Sequence, residues 1–520
     1  MLPDGRRVGV IRTGYGGVEI DYHARLAFFC NDVTMRDQLF HLPPKSVLTL
    51  QAQVREMLVG AILNAHIPGG EAVPSPRKLA EQLQIARNTV VLAYQQLVDE
   101  GYLIARERSG YYVAEDILDG RVKVSAPPVA PAQQQIDWSQ RLSNRMSRQR
   151  NIIKPRDWNN YPYPFIYGQI DPQLFPSADW RDCCRQALST LAIQDWAPDH
   201  FDSDDPLLIE QLHTRLLPRR GVWAEPEEIL VTVGAQHALY LLASLLLSGK
   251  TIGMEEPGYP DARNIFELHA AQIVPLPVDA QGLQMGTALD ACDYVYVTPS
   301  HQSPTTVTLS LERRQALLER ARQRGFVIIE DDYESETNYA GQPIPALKSL
   351  DNEGRVIYVG SLSKTLAPGL RLGYMVGAED LIYEARSLRR LMLRHPPANN
   401  ERAIALFLAR GHHDSLVRRL NHAFGLRCRT LGDALNHYLP ESSRPPTFGG
   451  TSYWVHAPAG LDCRRLQREA ASQGILIEPG DVFFQADPAP LNYFRLGFSA
   501  IPVDRIDEGI KRLAALVQAG

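Results

Sequence analysis

The sequence predicts two folded units in one chain, a small and mostly helical one followed by a large α/β one built around a mostly parallel sheet. Three observations carry that expectation. At 520 residues the chain exceeds what one hydrophobic core normally organises, so two or three domains are expected. Between residues 50 and 113, apolar positions recur at helical spacing and then give way to two short strand-like runs. From residue 163 onward, the apolar runs ILVTV (229–233), YVYVT (294–298), FVIIE (326–330) and VIYVG (356–360) alternate with helical text, the pattern of a sheet covered by helices.

Composition narrows the class. With 44% hydrophobic and 22% charged residues the chain can bury large cores. No apolar run reaches the ~18 residues a membrane span needs, and the opening MLPDGRRVGVIRTGYGG lacks the apolar core of a secretory signal. The six cysteines (Cys30, Cys183, Cys184, Cys292, Cys428 and Cys463) show neither metal-ligand spacing nor a compact framework, which fits a reduced cytoplasm and no metal site. A formal net charge of −5 gives no global sign of nucleic acid, so any DNA-binding role must rest on a local motif.

Residues 1–45 form an extension without clear periodicity and receive no assignment; Met35, just ahead of the first helical pattern, is a candidate native start. The first unit spans 46–115. Val54, Leu58, Ala61 and Ile62 share one face of a helix that ends before Pro68-Gly69-Gly70. In VPSPRKLAEQL, Ser75 suits an N-cap with Pro76 at the first helical position, and Leu79, Ala80 and Leu83 face inward. After a short turn comes a longer helix with a core stripe of Val90, Ala93, Tyr94 and Leu97, stopped by Gly101. YLIARERSGYYVAED then reads as two strands around Arg106–Gly110.

Helix, helix, turn, helix and a two-stranded wing is the winged helix-turn-helix plan, whose third helix puts its N-terminal residues on base edges. Arg87, Asn88 and Thr89 fall at that N-terminus, while Arg77 and, in the wing, Arg106 and Arg108 suit phosphates, and Gly110 at the wing tip joins the DNA-binding residues. Six basic and six acidic residues between 50 and 113 cancel, so spacing alone leaves a small capping domain as an equal alternative. The stretch VPSPRKLAEQLQIARNTVVLAYQQLVDEGYLIARERSGYYV resembles the DNA-binding domain of the GntR family along its length, with Ala86 standing where a serine is usual. Residues 116–160 form a linker. SAPPVAPAQQQ (125–135) is Pro-rich and extended, and IDWSQRLSNRMSRQR is either a solvated arm, the favoured reading, or a segment that docks on one of the domains.

The second unit spans 161–520, and its chemistry should lie beyond the carboxyl ends of the strands. Past 356–360, Ser361, Ser363, Lys364 and Arg371 join a lysine whose pKa burial lowers to short hydroxyl donors and a planar fork fit for phosphate. Past 229–233, Gly234, Ala235 and Gln236 open a helix whose N–H groups can meet an anion. Asp331 and Tyr333 share a face past 326–330, a carboxylate for a pyridine nitrogen and a phenol for a ring oxygen. Tyr259 follows the strand at 251–254 and can stack on a flat ring, and Gln302 lies in the polar loop past 294–298. Together these strand ends suit pyridoxal 5'-phosphate (PLP).

Residues 163–518 resemble the fold-type I, class I/II aminotransferase-like PLP proteins. The resemblance implies Lys364 as the Schiff-base lysine, Asp331 at the pyridine nitrogen, Tyr333 at the 3'-oxygen, and Ser361, Ser363, Arg371 and the 234–236 turn on phosphate. It implies Arg495, in NYFRLGFS, as the grip on an effector carboxylate. Gln302 stands near, but shifted from, the family's asparagine, and Thr306 replaces a usual glycine.

A GntR-like head on an aminotransferase-like body is the plan of the MocR subfamily of transcriptional regulators, and LMLRHPP (391–397) with FGGTSYW (448–454) is similar to regulators of ectoine or taurine use. That resemblance implies a cytoplasmic homodimer, domain-swapped as in the subfamily, that binds operator DNA and senses an amine or amino-acid effector by aldimine exchange at Lys364. An active aminotransferase with an appended head, and a PLP-free scaffold, remain the alternatives.

Overall fold

The computed structural model describes residues 40–43, 48–117, 136–341, 344–446 and 448–519. The expectations placed on residues 1–39, Met35 included, and on the Pro-rich stretch 125–135 lie outside the described residues. The chain divides into two compact units, Met1–Arg141 and Leu142–Gly520.

In the first unit, α1 (Leu50–Leu63) is capped by Thr49 and α2 (Pro76–Leu83) by Ser75, whose hydroxyl accepts from Lys78 N at 3.3 Å. α3 (Arg87–Asp99) starts after Ala86, which gives it no side-chain cap. The apolar stripes of α1 and α3 are buried at Val54, Leu58, Ala61 and Ile62 and at Val90, Ala93, Tyr94 and Leu97. On α2, Leu79 and Ala80 are buried, while Leu83 is only half-buried at the helix end, where Gln84 turns left-handed at φ 54°. Tyr94 is buried with its hydroxyl donating to Pro74 O at 2.7 Å, so its polar tip is satisfied inside the core. A hairpin of β1 (Leu103–Arg106) and β2 (Gly110–Val113) completes the unit, pairing Leu103 with Val113 and Arg106 with Gly110.

The second unit opens with β3 (Tyr163–Pro164), which pairs with β13 (Ile475–Leu476). Its main sheet contains β4 (Ile229–Thr232), β5 (Thr251–Glu256), β6 (Gln272–Asp279), β7 (Gly282–Leu283), β8 (Tyr294–Val297), β9 (Val327–Asp332), β10 (Val356–Ser361) and β11 (Gly373–Val376). They lie in the order β4-β11-β10-β9-β8-β5-β6-β7, with β10, β9, β8, β5 and β6 parallel. β4 and β8–β10 are buried almost throughout, which is why they read as continuous apolar runs without alternation. A smaller sheet, β12-β15-β14, joins β12 (Ser452–His456), β14 (Glu478–Pro479) and β15 (Tyr493–Gly497) near the C-terminus.

Two features of this topology position the site. β11 returns antiparallel between β4 and β10, with Ser361 opposite Gly373 and Leu362 N donating to Leu372 O at 3.1 Å. The stretch 361–373 is therefore a pinched loop at the carboxyl edge of the sheet, with Lys364 on one leg and Arg371 on the other. The return strand also passes hard against the turn after β4, since a Cβ at Gly373 would sit 2.7 Å from Gly234 C.

Residues 136–148 are exposed, as a solvated arm should be. The arm reading fails at its last two residues: Gln149 Nε2 donates to Asn264 O at 3.2 Å, and Arg150 Nη2 to Phe484 O at 2.9 Å. The long side chains of the basic tail find carbonyls on the α/β unit that no local pattern announces.

Candidate functional site

A cavity of about 310 Å³ lies at the carboxyl edge of the main sheet, and most of the strand-end residues converge on it. Ala235, Gln236, Tyr259, Asp331, Tyr333, Ser361, Ser363, Lys364, Arg371 and Arg495 all line it. Most arrive from the ends of strands of the main sheet or from the pinched loop, and Arg495 from β15 of the smaller sheet, so the fold brings together residues that are far apart in sequence.

Lys364 points its ammonium at the face of Tyr167, 4.2 Å from the ring centroid. Burial, assisted by the nearby cations Lys154 and Arg495, lowers its pKa to about 8, although Glu334 and Glu478 pull the other way. Asp331 is buried at the end of β9, and its Oδ2 accepts from Tyr296 OH at 2.8 Å. Its Oδ1 is buried with no hydrogen-bond partner. Burial raises this carboxyl to about 7. A buried acid with one free oxygen facing a cavity is a poor structural element and a good socket for a protonated ring nitrogen.

The phosphate end is equally specific. Gly234 caps the helix Ala235–Leu246 at φ 80°, and a Cβ there would meet Arg371 Nη2 at 2.8 Å, so glycine is what lets the guanidinium reach the helix N-terminus. Arg371 itself is left-handed at φ 49° and donates to Val233 O at 3.2 Å. Ser361 Oγ accepts from Ser363 N at 3.2 Å, which orients the loop around the same spot. A helix N-terminus, two hydroxyls and an arginine at one end, a lysine and a carboxyl with a free oxygen beyond them, fit pyridoxal 5'-phosphate.

Gln302 does not line the cavity. Its Nε2 donates to Pro257 O at 2.7 Å and Ser303 O at 2.9 Å, and its Oε1 accepts from Thr305 N and Oγ1 at 3.0 and 2.6 Å. Both ends of the amide are spent on the loop's own turn and on β5 and the loop that follows it, through Glu255 and Pro257, and Ser303 takes the cavity position instead. Thr306, where glycine was expected, sits at φ 62°, held by its N–H donating to Gln302 O at 2.7 Å. Tyr333 reaches the cavity with its hydroxyl donating to His301 O at 2.9 Å.

Several neighbours escaped the sequence reading. Tyr296 holds Asp331 from the adjacent strand β8, and the one clue was a tyrosine inside a buried run, whose hydroxyl must find a partner. Tyr167 lies beneath both Lys364 and Arg495, the latter at 4.2 Å. Arg495 is further engaged: its Nε donates to Glu478 Oε2 at 2.8 Å, and Phe483 covers it at 4.8 Å. Lys154 reaches the same carboxylate at 3.5 Å and donates to Tyr167 O.

In the first unit, Arg87 and Asn88 stand exposed at the start of α3, with Thr89 half-buried behind them. Arg77 pairs with Glu81 at 3.1 Å on an open surface. Arg106 lies over the Tyr112 ring at 4.4 Å and meets Glu115 at 3.4 Å. Gly110 turns the hairpin at φ 110°.

Comparison with known proteins assigns both units. Residues 50–113 match the bacterial regulatory proteins of the gntR family, and residues 201–513 match aminotransferase class I and II. The chain is 42% identical over 476 residues to the HTH-type transcriptional regulator TauR of Rhodobacter capsulatus, covering 91% of this chain and 98% of that protein. It is 30% identical to the probable rhizopine catabolism regulatory protein MocR of Rhizobium meliloti, over 89% of this chain and 93% of that one. The chain belongs to the MocR-type transcriptional regulators. Its larger unit is also similar to solved enzymes. Pyrococcus horikoshii kynurenine aminotransferase superposes with a TM-score of 0.66 at 27% identity, covering 74% of this chain and 98% of the enzyme. Thermus thermophilus LysN, an α-aminoadipate aminotransferase complexed with a phosphopyridoxyl-leucine, does so with a TM-score of 0.66 at 26% identity. Among the described residues no helix is long and apolar enough to cross a membrane.

Proposed function

We propose that this MocR-type regulator works in the cytoplasm as a homodimer that binds operator DNA through α3 and the wing, and that it senses an amino-group effector at Lys364. The observation that carries the reading is the cavity itself, where Lys364, Asp331 and the Arg371–Gly234 cradle meet in a protein of a regulator family. When bound, pyridoxal 5'-phosphate supplies an aldehyde that condenses with primary amines. Ser361, Ser363, Arg371 and the N–H groups of 234–236 hold its phosphate. Asp331 would keep a proton on its ring nitrogen, Tyr333 would serve the ring oxygen and Tyr259 the face of the ring. Lys364, whose lowered pKa raises its neutral fraction, would hold the cofactor's aldehyde carbon, the position for which an amino-group effector would compete. Arg495 receives the effector's carboxylate.

An effector that took that position would leave Lys364, which lies over Tyr167, free to carry a charge in the cavity. An effector regulates only if it favours one arrangement of the dimer over another, and the released lysine is the group through which it would do so. At the DNA, Arg87, Asn88 and Thr89 read bases, while Arg77, Arg106 and the backbone at Gly110 contact phosphates. Two heads on a two-fold dimer call for paired half-sites.

The test is footprinting on the gene's own upstream region with amino compounds added, for wild type and Lys364→Ala. The variant should keep the footprint and lose the effector response. An unchanged response in the variant, or steady transamination by the wild type with no footprint, would overturn the reading in favour of an enzyme.

A further inference from the structure

Arg495 is not free in the way a lone carboxylate grip would be. Glu478, opposite it across β14 and β15, already takes its Nε at 2.8 Å and also accepts from Tyr167 N at 3.3 Å. Arg495 nonetheless keeps Nη2 buried without a hydrogen-bond partner, on a side chain that is 4% exposed and lines the cavity. Lys154 enters from the segment ahead of β3, lines the same cavity, and faces the other oxygen of Glu478 at 3.5 Å. Two cations thus share this carboxylate, Asp261 also lines the cavity and acts on Lys154, and the group left unmet at this end is the Arg495 donor. A buried donor with no partner is costly unless a ligand supplies the missing acceptor.

We infer that Lys154 and Arg495 form one anion subsite, with Glu478 as its fixed counter-ion, and that it takes a single acid group on the effector while Lys364 receives the amine. The effector class is therefore an amino acid with one acid group near its amine, and Lys154 is the specificity residue that separates it from simple amines. This rests on the sensing function proposed above. It adds that the opening segment of the α/β unit, ahead of β3, itself enters the effector site. Lys154 lies just beyond Gln149 and Arg150, both hydrogen-bonded to the α/β unit. An acid group arriving at Lys154 therefore touches the chain that leads to the DNA-binding unit.

The experiment titrates PLP-loaded full-length protein with matched pairs, β-alanine against propylamine and L-alanine against isopropylamine, following the cofactor's absorbance. Wild type, Lys154→Met and Lys154→Arg are compared, with melting temperature checking that each remains folded. The loss of a charge-assisted contact should weaken at least one acid-bearing ligand about 10- to 100-fold in Lys154→Met. Its acid-free partner should bind as to wild type, and Lys154→Arg should recover most of the loss. Equal effects on both members of each pair, or no effect on either, overturn the subsite. A wild type that responds to none of the four overturns the sensing reading and this inference with it. If Lys154→Met does not fold, Lys154→Gln replaces it, and Lys154→Arg alone must still retain the preference for the acid-bearing members.

Discussion

The amine of Lys364 should titrate near pH 8, where an ordinary lysine titrates at 10.5, and this can be measured on cofactor-free protein. At pH 7 an amine with a pKa of about 8 is ~9% neutral, against ~0.03% at 10.5, a gain of roughly 300-fold in the nucleophilic form. Competitive acetylation across pH 6–11, read by peptide mass spectrometry, follows that form directly. The neighbours give internal controls. Burial is the largest cause, Lys154 lowers the pKa further and Glu334 raises it, so Lys154→Met should move the midpoint up and Glu334→Gln should move it down. The sign for stability follows from linkage. A lysine depressed in the folded state binds fewer protons there than in the unfolded chain, so folding is penalised below pH 8 and the penalty fades as pH rises from 8 to 10.5. At 1.36 kcal/mol per pH unit the recovery is at most about 3 kcal/mol from this group. A Lys364 midpoint at or above 10, unmoved by either variant, would refute the claim that the cavity activates the amine.

Four further changes probe other parts of the molecule. Asp331→Asn should leave the fold at least as stable, because it removes a buried carboxylate with an unpaired oxygen, yet weaken cofactor retention on gel filtration at least tenfold. Gly234→Ala places a methyl 2.8 Å from Arg371 Nη2 at φ 80°, so thermal melting should report a loss of about 1–2 kcal/mol alongside weaker cofactor binding. Ala86→Ser supplies the missing cap of α3 and should slow amide exchange in its first turn, with a gain of about 1 kcal/mol. Arg87→Ala should cost about 1–3 kcal/mol in operator affinity by mobility shift, without altering the cofactor's absorbance.

Much of this was legible in the sequence because the relevant physics is local. The stripes of α1 and α3 follow from a 3.6-residue period, the Ser75–Pro76 start of α2 from cap chemistry, and the strands from apolar runs buried on both faces. The strand-end rule then named most of the cavity's lining without any knowledge of strand order. It could not name what neighbouring strands contribute sideways. Tyr296 meets Asp331 only because β8 lies beside β9, and Glu478 meets Arg495 only because β14 pairs with β15. Gln302 was misplaced for a related reason: proximity in sequence to a strand end does not say whether a side chain faces the ligand or packs elsewhere, and here Thr305 claims one end of the amide while Pro257, Glu255 and Ser303 claim the other.

Lys154 marks the limit most clearly. It sits at the end of a polar, basic segment with no periodicity, where a solvated arm is the economical expectation, and exposed residues 136–148 behave that way. Its partner Glu478 looks equally ordinary in ILIEPGD. Only the fold brings the two together beneath Tyr167, and only then does a buried carboxylate shared by two cations distinguish this pocket from a site with one free arginine. A charge count made within the head balanced to zero and said little, whereas the cavity leaves one buried donor, Arg495 Nη2, without a partner. That unmet donor, with Lys154 beside it, is a tertiary property, and it is what would turn a generic grip on a carboxylate into a demand for one acid group beside an amine.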